Sequence, residues 1–204
     1  MQNGVKYIIC IIFICVIFIF KPKILKMFGF SYRDIYNIRA IEEVVESIHE
    51  SLDIQYIRYE WTDELEVDNN PTILVYHHAA IKNISPEDIN NLHKNKGWRG
   101  IGYHYYIRKD GTIYKGREDQ AEGSHVKGYN KKSIGVCLEG DFEEEYLTEE
   151  QREALKKLSV YICIKHNIKD ILPHNELGNT LCPGKNFPLE EIKNDIIKEL
   201  KSIK

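Results

Sequence analysis

The chain has 204 residues, of which 43% are hydrophobic, and its formal net charge at pH 7 is -3. This length allows one domain with a sizeable core and an additional segment. The 28 basic and 31 acidic residues are interspersed without a long run of one sign, a pattern that gives no indication of nucleic-acid binding.

The N-terminal segment is apolar or aromatic at every position from Tyr7 to Phe20, and lysines lie on both sides of it. This run of 14 residues is shorter than the roughly 20 that span a bilayer as a helix, as in the core of a signal peptide. However, Phe18-Ile19-Phe20 offers no small-residue cleavage site, and the flanking lysines can extend the span. We therefore expect residues 1–26 to form an uncleaved membrane anchor, with secretion as the alternative if the segment is cleaved.

The next segment, residues 27–70, is expected to be a helical stalk or an N-terminal extension. Apolar residues recur in it at helical spacing from Ile35 to Leu52, which predicts an amphipathic helix over residues 34–51. Basic residues flank both ends of the predicted anchor, so the positive-inside rule does not fix its orientation.

Residues 71–204 alternate between strand and helix patterns. The pattern predicts strands at Thr72–Tyr76 and Ser133–Glu139, a hairpin of Tyr103–Arg108 with Thr112–Lys115, and helices beginning after Ser85, after Thr148 and near Leu189. No internal repeat interrupts this order. We therefore predict a single α/β domain with a central mixed β-sheet flanked by helices.

Candidate metal ligands are His174 and Cys182, which lie in the segment from Leu172 to Gly184, where prolines and glycines prevent a regular helix. An imidazole and a thiolate presented from a loop are two of the three protein ligands that a catalytic zinc site takes. The third can come from His77 or His78, which follow the apolar strand at Thr72–Tyr76. A packed histidine and an inert thiol are the alternative interpretation of the loop.

Several short motifs match one protein family in order and spacing. They are His77-His78-Ala79-Ala80, Gly97-Trp98, Ile101–Ile107, Asp110–Arg117, Gly123–Val126, Gly128–Asn130, Ser133–Val136 and the stretch from His174 to Gly184. On these motifs the chain resembles the zinc N-acetylmuramoyl-L-alanine amidases of the type 2 family, which includes phage endolysin amidases and peptidoglycan recognition proteins. The resemblance covers about residues 72–187.

The resemblance implies a Zn²⁺ cofactor held by His77, His174 and Cys182. It also implies two catalytic residues, Tyr103 beside the metal water and Thr180 two residues before the ligand cysteine. The implied reaction is hydrolysis of the amide between N-acetylmuramic acid and the L-alanine of the peptidoglycan stem peptide. In such a reaction a zinc-activated water attacks the carbonyl and a phenol stabilises the oxyanion.

Substrate contacts are also expected from the resemblance. His125 and Asn130 fall on a loop that lines the substrate groove in this family, and His104 and Trp98 are further candidates. The strand position at which some members carry a general-base glutamate is Cys137 here. The helical positions of His93 and His166 are interpreted as solvated or structural.

The implied partner is peptidoglycan, and the protein is expected to act as a monomer. Since its substrate lies outside the cell, we expect a single-pass protein of the cytoplasmic membrane with an extracytoplasmic catalytic domain. The alternative hypothesis is a non-catalytic, membrane-anchored receptor that binds peptidoglycan. Relatives that bind without cleaving typically lack the cysteine or the first histidine, and this chain keeps both.

Overall fold

The computed structural model describes residues 32–203, with side chains from Ala40 onward. The predicted anchor at residues 1–26 lies outside the described residues. Within the described part of the chain, no helix combines the length and the apolar character needed to cross a membrane. The chain divides at Ser47, and Ser47–Lys204 forms one compact unit.

Four α-helices, one short 3-10 helix (His174–Glu176) and six strands make up the described structure. The helices are α1 (Tyr32–Ser51), α2 (Pro86–Asn95), α3 (Glu149–His166) and α4 (Leu189–Ser202). The strands are β1 (Gln55–Tyr56), β2 (Ile73–His78), β3 (Tyr105–Ile107), β4 (Ile113–Lys115), β5 (Ser133–Leu138) and β6 (Asp170–Pro173). They form one sheet in the order β1-β4-β3-β5-β2-β6.

The sheet is mixed, as predicted. Strands β3 and β4 pair antiparallel, in agreement with the predicted hairpin, whereas the other neighbours in the sheet run parallel. All residues of β5 are buried, as are those of β2 from Leu74 to His78. Such near-continuous burial is typical of parallel strands covered on both faces. The phenol of Tyr76 is satisfied within this core, because its oxygen lies 2.7 Å from Oγ of Ser159 on α3.

The predicted starts of α2 and α3 are confirmed by their capping hydrogen bonds. The Ser85 hydroxyl accepts from the backbone N–H of Asp88 at 3.1 Å, and Pro86 occupies the first turn. At α3, Thr148 and Gln151 form a reciprocal capping box. The Thr148 hydroxyl also donates to the carbonyl of Lys109 at 2.7 Å, which ties α3 to the β3–β4 turn.

The edge strands β1 and β6 have no counterpart in the sequence prediction. Strand β1 has only two residues, both exposed, so no alternation of apolar and polar residues marks it. It pairs in parallel with β4, and Tyr59 beyond it packs with the buried Ile89 and Ile101. The compact unit therefore begins before residue 71, the boundary that the sequence predicts.

A buried ionic cluster joins the hairpin to α3. The carboxylate of Asp119, 2% exposed, accepts from the Tyr105 hydroxyl at 2.8 Å, from Nζ of Lys165 at 2.7 Å and from Nζ of Lys115. Nε2 of His166 lies 2.9 Å from the same carboxylate. Burial alone would raise the pKa of Asp119, but the donors from His166 and Lys115 outweigh it and hold that pKa well below its usual range.

Candidate metal centre and active site

The sheet register brings His77 and His174 together. Strands β2 and β6 are parallel neighbours with Tyr76 opposite Pro173, so the next residue of each chain segment leaves the same edge of the sheet. The two imidazole rings lie 4.6 Å apart, centroid to centroid. Cys182 returns to this edge on the following loop, where its carbonyl accepts from the backbone N–H of Asn175 at 2.8 Å.

The three side chains have the spacing of a metal site. Their ligand atoms all lie within 4.8 Å of one another, and Sγ of Cys182 is 3.7 Å from Nδ1 of His77. In tetrahedral zinc coordination, bonds of about 2.3 Å to sulfur and 2.0 Å to nitrogen place these two atoms about 3.5 Å apart. A thiolate with two imidazoles is also a donor set suited to zinc. The residues present therefore fit the zinc ion that the resemblance implies.

The protonation states of the ligands favour cation binding by the histidines. Burial, and then the neighbouring His174, lower the pKa of His77 well below its usual value, and burial also lowers the pKa of His174. Both imidazoles are therefore neutral at physiological pH. Burial raises the pKa of the Cys182 thiol to about 12, partly offset by a backbone N–H of His78 that lies 3.4 Å from Sγ. A cation bound here displaces the thiol proton.

Tyr103 lies beside the metal centre, with its ring centroid 5.1 Å from that of His77. Burial, and then the nearby thiols of Cys137 and Cys182, raise the pKa of its phenol well above the usual value. The phenol therefore keeps its proton and is a hydrogen-bond donor. Thr180, half-buried, accepts from the backbone N–H of Cys182 at 3.2 Å, which leaves its hydroxyl hydrogen available as a second donor.

Cys137 occupies the strand position at which the resemblance implies a general-base glutamate in some family members. This residue is paired in register with His77 on the neighbouring strand, and burial raises the pKa of its thiol. The nearest carboxylate along the strand, Glu139, is held elsewhere. It accepts from Nε of Arg108 at 3.1 Å and from the backbone N–H groups of Lys109 and Ile84.

Two of the predicted substrate contacts line an open polar cleft of about 470 Å³. These are Trp98, which is 37% exposed, and Asn130. Charges of both signs line the same cleft, contributed by Glu66, Arg99, Arg117, Glu122 and Lys131. The Oδ1 atom of Asn130 also shapes the loop, because it accepts from the backbone N–H groups of His125 and Val126 at 3.0 and 2.9 Å.

The other two predicted substrate contacts are buried. His104 is 0% exposed, and its Nδ1 accepts from the backbone N–H of Gly135 while Nε2 lies 3.0 Å from the carbonyl of Ala121. Its ring therefore cannot touch a ligand in this conformation. His125 is 7% exposed and lies behind His77, with 3.0 Å between its Nδ1 and Nε2 of that ligand. The resemblance implied a groove-lining loop for His125 and a possible substrate contact for His104, and in the structure both rings are buried.

One residue near the site was not predicted to act there. His93 on α2 is buried, and its Nδ1 accepts from the backbone N–H of Gly102 at 3.0 Å. Its ring packs between Trp98 and Tyr103, with centroid distances of 4.5 and 5.4 Å. It thereby fixes the backbone just before Tyr103. One sequence feature could have identified His93. It lies three residues after Asn90, and this spacing places both polar side chains on one face of the helix.

Comparison with known proteins agrees with this geometry. The Amidase_2 family model, described as N-acetylmuramoyl-L-alanine amidase, matches residues 67–185. An endolysin of Klebsiella phage KP32 is 32% identical over 149 residues, which cover 71% of this chain and 95% of the endolysin.

Solved structures show the same fold. LysCS, an endolysin N-acetylmuramoyl-L-alanine amidase from Clostridium intestinale URNW, aligns with a TM-score of 0.70 at 47% identity over 71% of this chain and 95% of its own. A Drosophila PGRP-LB mutant in complex with tracheal cytotoxin aligns with a TM-score of 0.61 at 26% identity over 67% and 91%. Because the matched segment spans more than half of the chain and contains all three clustered side chains, this protein belongs to the N-acetylmuramoyl-L-alanine amidase family.

Proposed function

We propose that this protein is a zinc-dependent peptidoglycan hydrolase that cleaves the amide bond between N-acetylmuramic acid and the L-alanine of the stem peptide. The observation that carries the proposal is the convergence of His77, His174 and Cys182 beside the protonated phenol of Tyr103. The family membership and the likeness to phage endolysins support the same reaction.

The number of ligands favours catalysis over a structural metal. Structural zinc sites close with four protein ligands, whereas catalytic sites use three and keep one position open. Across the described residues, the group formed by His77, His174 and Cys182 contains no fourth histidine, cysteine or carboxylate. Zinc, when bound, lowers the pKa of its water to about 7 and polarises the carbonyl of the amide.

The side chains around the centre supply the remaining functions. The Tyr103 phenol donates a hydrogen bond to the oxygen that becomes negative as the carbonyl is attacked. The Thr180 hydroxyl, which accepts from the backbone N–H of the ligand Cys182, is a second, uncharged donor. The cleft with Trp98 offers an aromatic surface together with charges of both signs, a combination that suits a glycan carrying a peptide with amines and carboxylates.

Replacing Cys182 by serine is expected to reduce bound zinc from about one ion per chain to a trace and to abolish amide cleavage. The full-length protein would be incubated with isolated peptidoglycan, with and without a chelator. Mass spectrometry would then look for free stem peptides that begin with L-alanine. Cys163→Ser is the matched control, because this partly buried thiol lies outside the metal cluster.

Two results would contradict the proposal. The first is release of stem peptides by Cys182→Ser at the wild-type rate. The second is binding of peptidoglycan without any release by the wild-type protein at full zinc occupancy, which would identify a non-catalytic receptor instead.

We further propose that the protein acts as a monomer at the outer face of the cytoplasmic membrane, anchored by residues 1–26. The apolar run from Tyr7 to Phe20 supports this location, as does a substrate that lies outside the cell. An alkaline phosphatase fused after Lys204 should be active in intact cells. Activity of a different reporter, one that works only in the cytoplasm, fused at the same place would contradict the predicted orientation.

A further inference from the structure

We propose that His125 is a positioning residue that fixes the tautomer and the orientation of the metal ligand His77. The inference rests on the proposed zinc site but concerns metal affinity, which is measurable without substrate. It replaces the predicted role of His125 as a substrate contact. Its basis is a chain of hydrogen bonds that begins at His77 and ends at a backbone carbonyl.

The first link is the contact between the two imidazole rings. Nδ1 of His77 faces Sγ of Cys182 at 3.7 Å, which makes Nδ1 the atom directed at the metal position. The opposite nitrogen, Nε2, lies 3.0 Å from Nδ1 of His125. A neutral imidazole has one donor and one acceptor nitrogen. His77 can offer Nδ1 to a cation only if its proton is on Nε2, where His125 must accept it.

The backbone carbonyl at the end of this series of hydrogen bonds sets the donor and acceptor of each bond in the series. Ser133 Oγ lies 2.7 Å from the carbonyl oxygen of Tyr129, and a carbonyl can only accept, so the Ser133 hydroxyl donates to it. The Ser133 oxygen is then free to accept from Nε2 of His125 at 3.4 Å. With its proton on Nε2, His125 presents Nδ1 as the acceptor that His77 needs. The tautomer of the metal ligand is thus determined by a backbone carbonyl two side chains away.

The His125 ring is closely packed on several sides. Two glycines make room for it, since a Cβ at Gly123 would lie 2.5 Å from its Cδ2 and a Cβ at Gly135 would lie 2.7 Å from its Cγ. The ring of His104 meets it edge-on at 5.6 Å, and Asn130 holds its backbone N–H. Partners of this kind typically change metal affinity 10–100-fold when they are removed.

The test compares two substitutions of similar size and polarity in the full-length protein, His125→Asn and His125→Gln. The oxygen of asparagine falls near the place of Nδ1 and can still accept from His77. The longer side chain of glutamine puts its amide near the position of Nε2 of His125. No acceptor then remains at the position of Nδ1, where His77 needs one. The dissociation constant for zinc would be measured by competition with a chromogenic chelator, and the melting temperature of each metal-free variant would report folding.

We expect His125→Gln to weaken zinc binding by about 10–100-fold, and His125→Asn to stay within a few-fold of wild type. Metal-free melting temperatures should be similar for the two variants. Cobalt-substituted protein provides a second readout, because the visible bands of the ion report ligand geometry, and these bands should change only in the glutamine variant.

Equal zinc affinities in all three proteins would overturn the positioning role, as would equal losses in both variants. If either variant does not fold, Ser133→Ala provides the test, because it removes the acceptor that fixes the His125 tautomer. Weaker zinc binding by this variant supports the role, and unchanged binding overturns it. A wild-type protein that binds no zinc would contradict the proposed function itself, so the two failures are distinguishable.

Discussion

Tyr103→Phe is expected to lower kcat by about 10²–10³-fold, the usual loss when one donor to a developing oxyanion is removed. The phenol lies beside the metal centre and keeps its proton, because burial and the adjacent thiols raise its pKa well above the usual value. In the proposed reaction it donates a hydrogen bond that becomes stronger as negative charge develops on the carbonyl oxygen. Both KM and zinc affinity should therefore change little.

The measurement is steady-state kinetics on a soluble muramyl peptide, together with zinc content. Tyr106→Phe is the matched control, because it removes the same atom from a buried tyrosine whose hydroxyl donates to the carbonyl of Ile84 at 2.9 Å. The control should lose stability but keep its kcat. If Tyr103→Phe retains the wild-type kcat, the oxyanion is stabilised by another donor, and Thr180→Val would be the next variant to measure.

Asp119→Asn is expected to lower the free energy of unfolding by about 3–5 kcal/mol at pH 7, the usual effect of breaking a buried ion pair. The carboxylate accepts from Lys115, which is 6% exposed, and from Lys165 and Tyr105. An amide carries no charge, so the buried ammonium of Lys115 would lose its counter-ion. Chemical denaturation of the metal-free protein would measure the change without a contribution from zinc binding.

The same variant should change how stability depends on pH. The folded-state pKa of Asp119 is lower than its unfolded value, so its contribution is complete above the unfolded pKa of about 3.9. That contribution is lost as the pH falls further, because the unfolded state then binds a proton that the folded state does not. Stability of Asp119→Asn should therefore fall less steeply than that of wild type below about pH 4.

The control for this experiment is Asp195→Asn. Asp195 is 40% exposed and pairs with Arg152 at the surface, where such pairs contribute about 0–1 kcal/mol. An equal loss of stability in both variants would show that the buried cluster contributes no more than a surface ion pair.

Elements with local signals were predicted well from the sequence. The capping residues Ser85 and Thr148 marked the starts of α2 and α3, and the apolar runs marked β2 and β5. Edge strands β1 and β6 were missed because they are short and partly exposed. These edge strands form because they pair with β4 and β2, and a local sequence pattern does not indicate such pairing.

The sequence by itself determined the chemistry that is available: two imidazoles and a thiol in motifs of fixed spacing, and a tyrosine at the start of the hairpin segment. These features are local, and their order along the chain is enough to identify the family. Only the tertiary structure decided which groups meet. Parallel pairing of β2 with β6 puts His77 beside His174, and its pairing with β5 puts Cys137 next to the same histidine.

The same distinction explains the histidines that were predicted to contact substrate. Motif position does not show whether such a ring faces solvent or the core, because that depends on the space left by residues far away in the chain. Gly123 and Gly135 leave room for the ring of His125 behind His77, and the carbonyl of Tyr129 sets its hydrogen bonds through Ser133. Residue types are written in the sequence, whereas burial and hydrogen-bond direction arise from contacts between separate segments once the chain has folded.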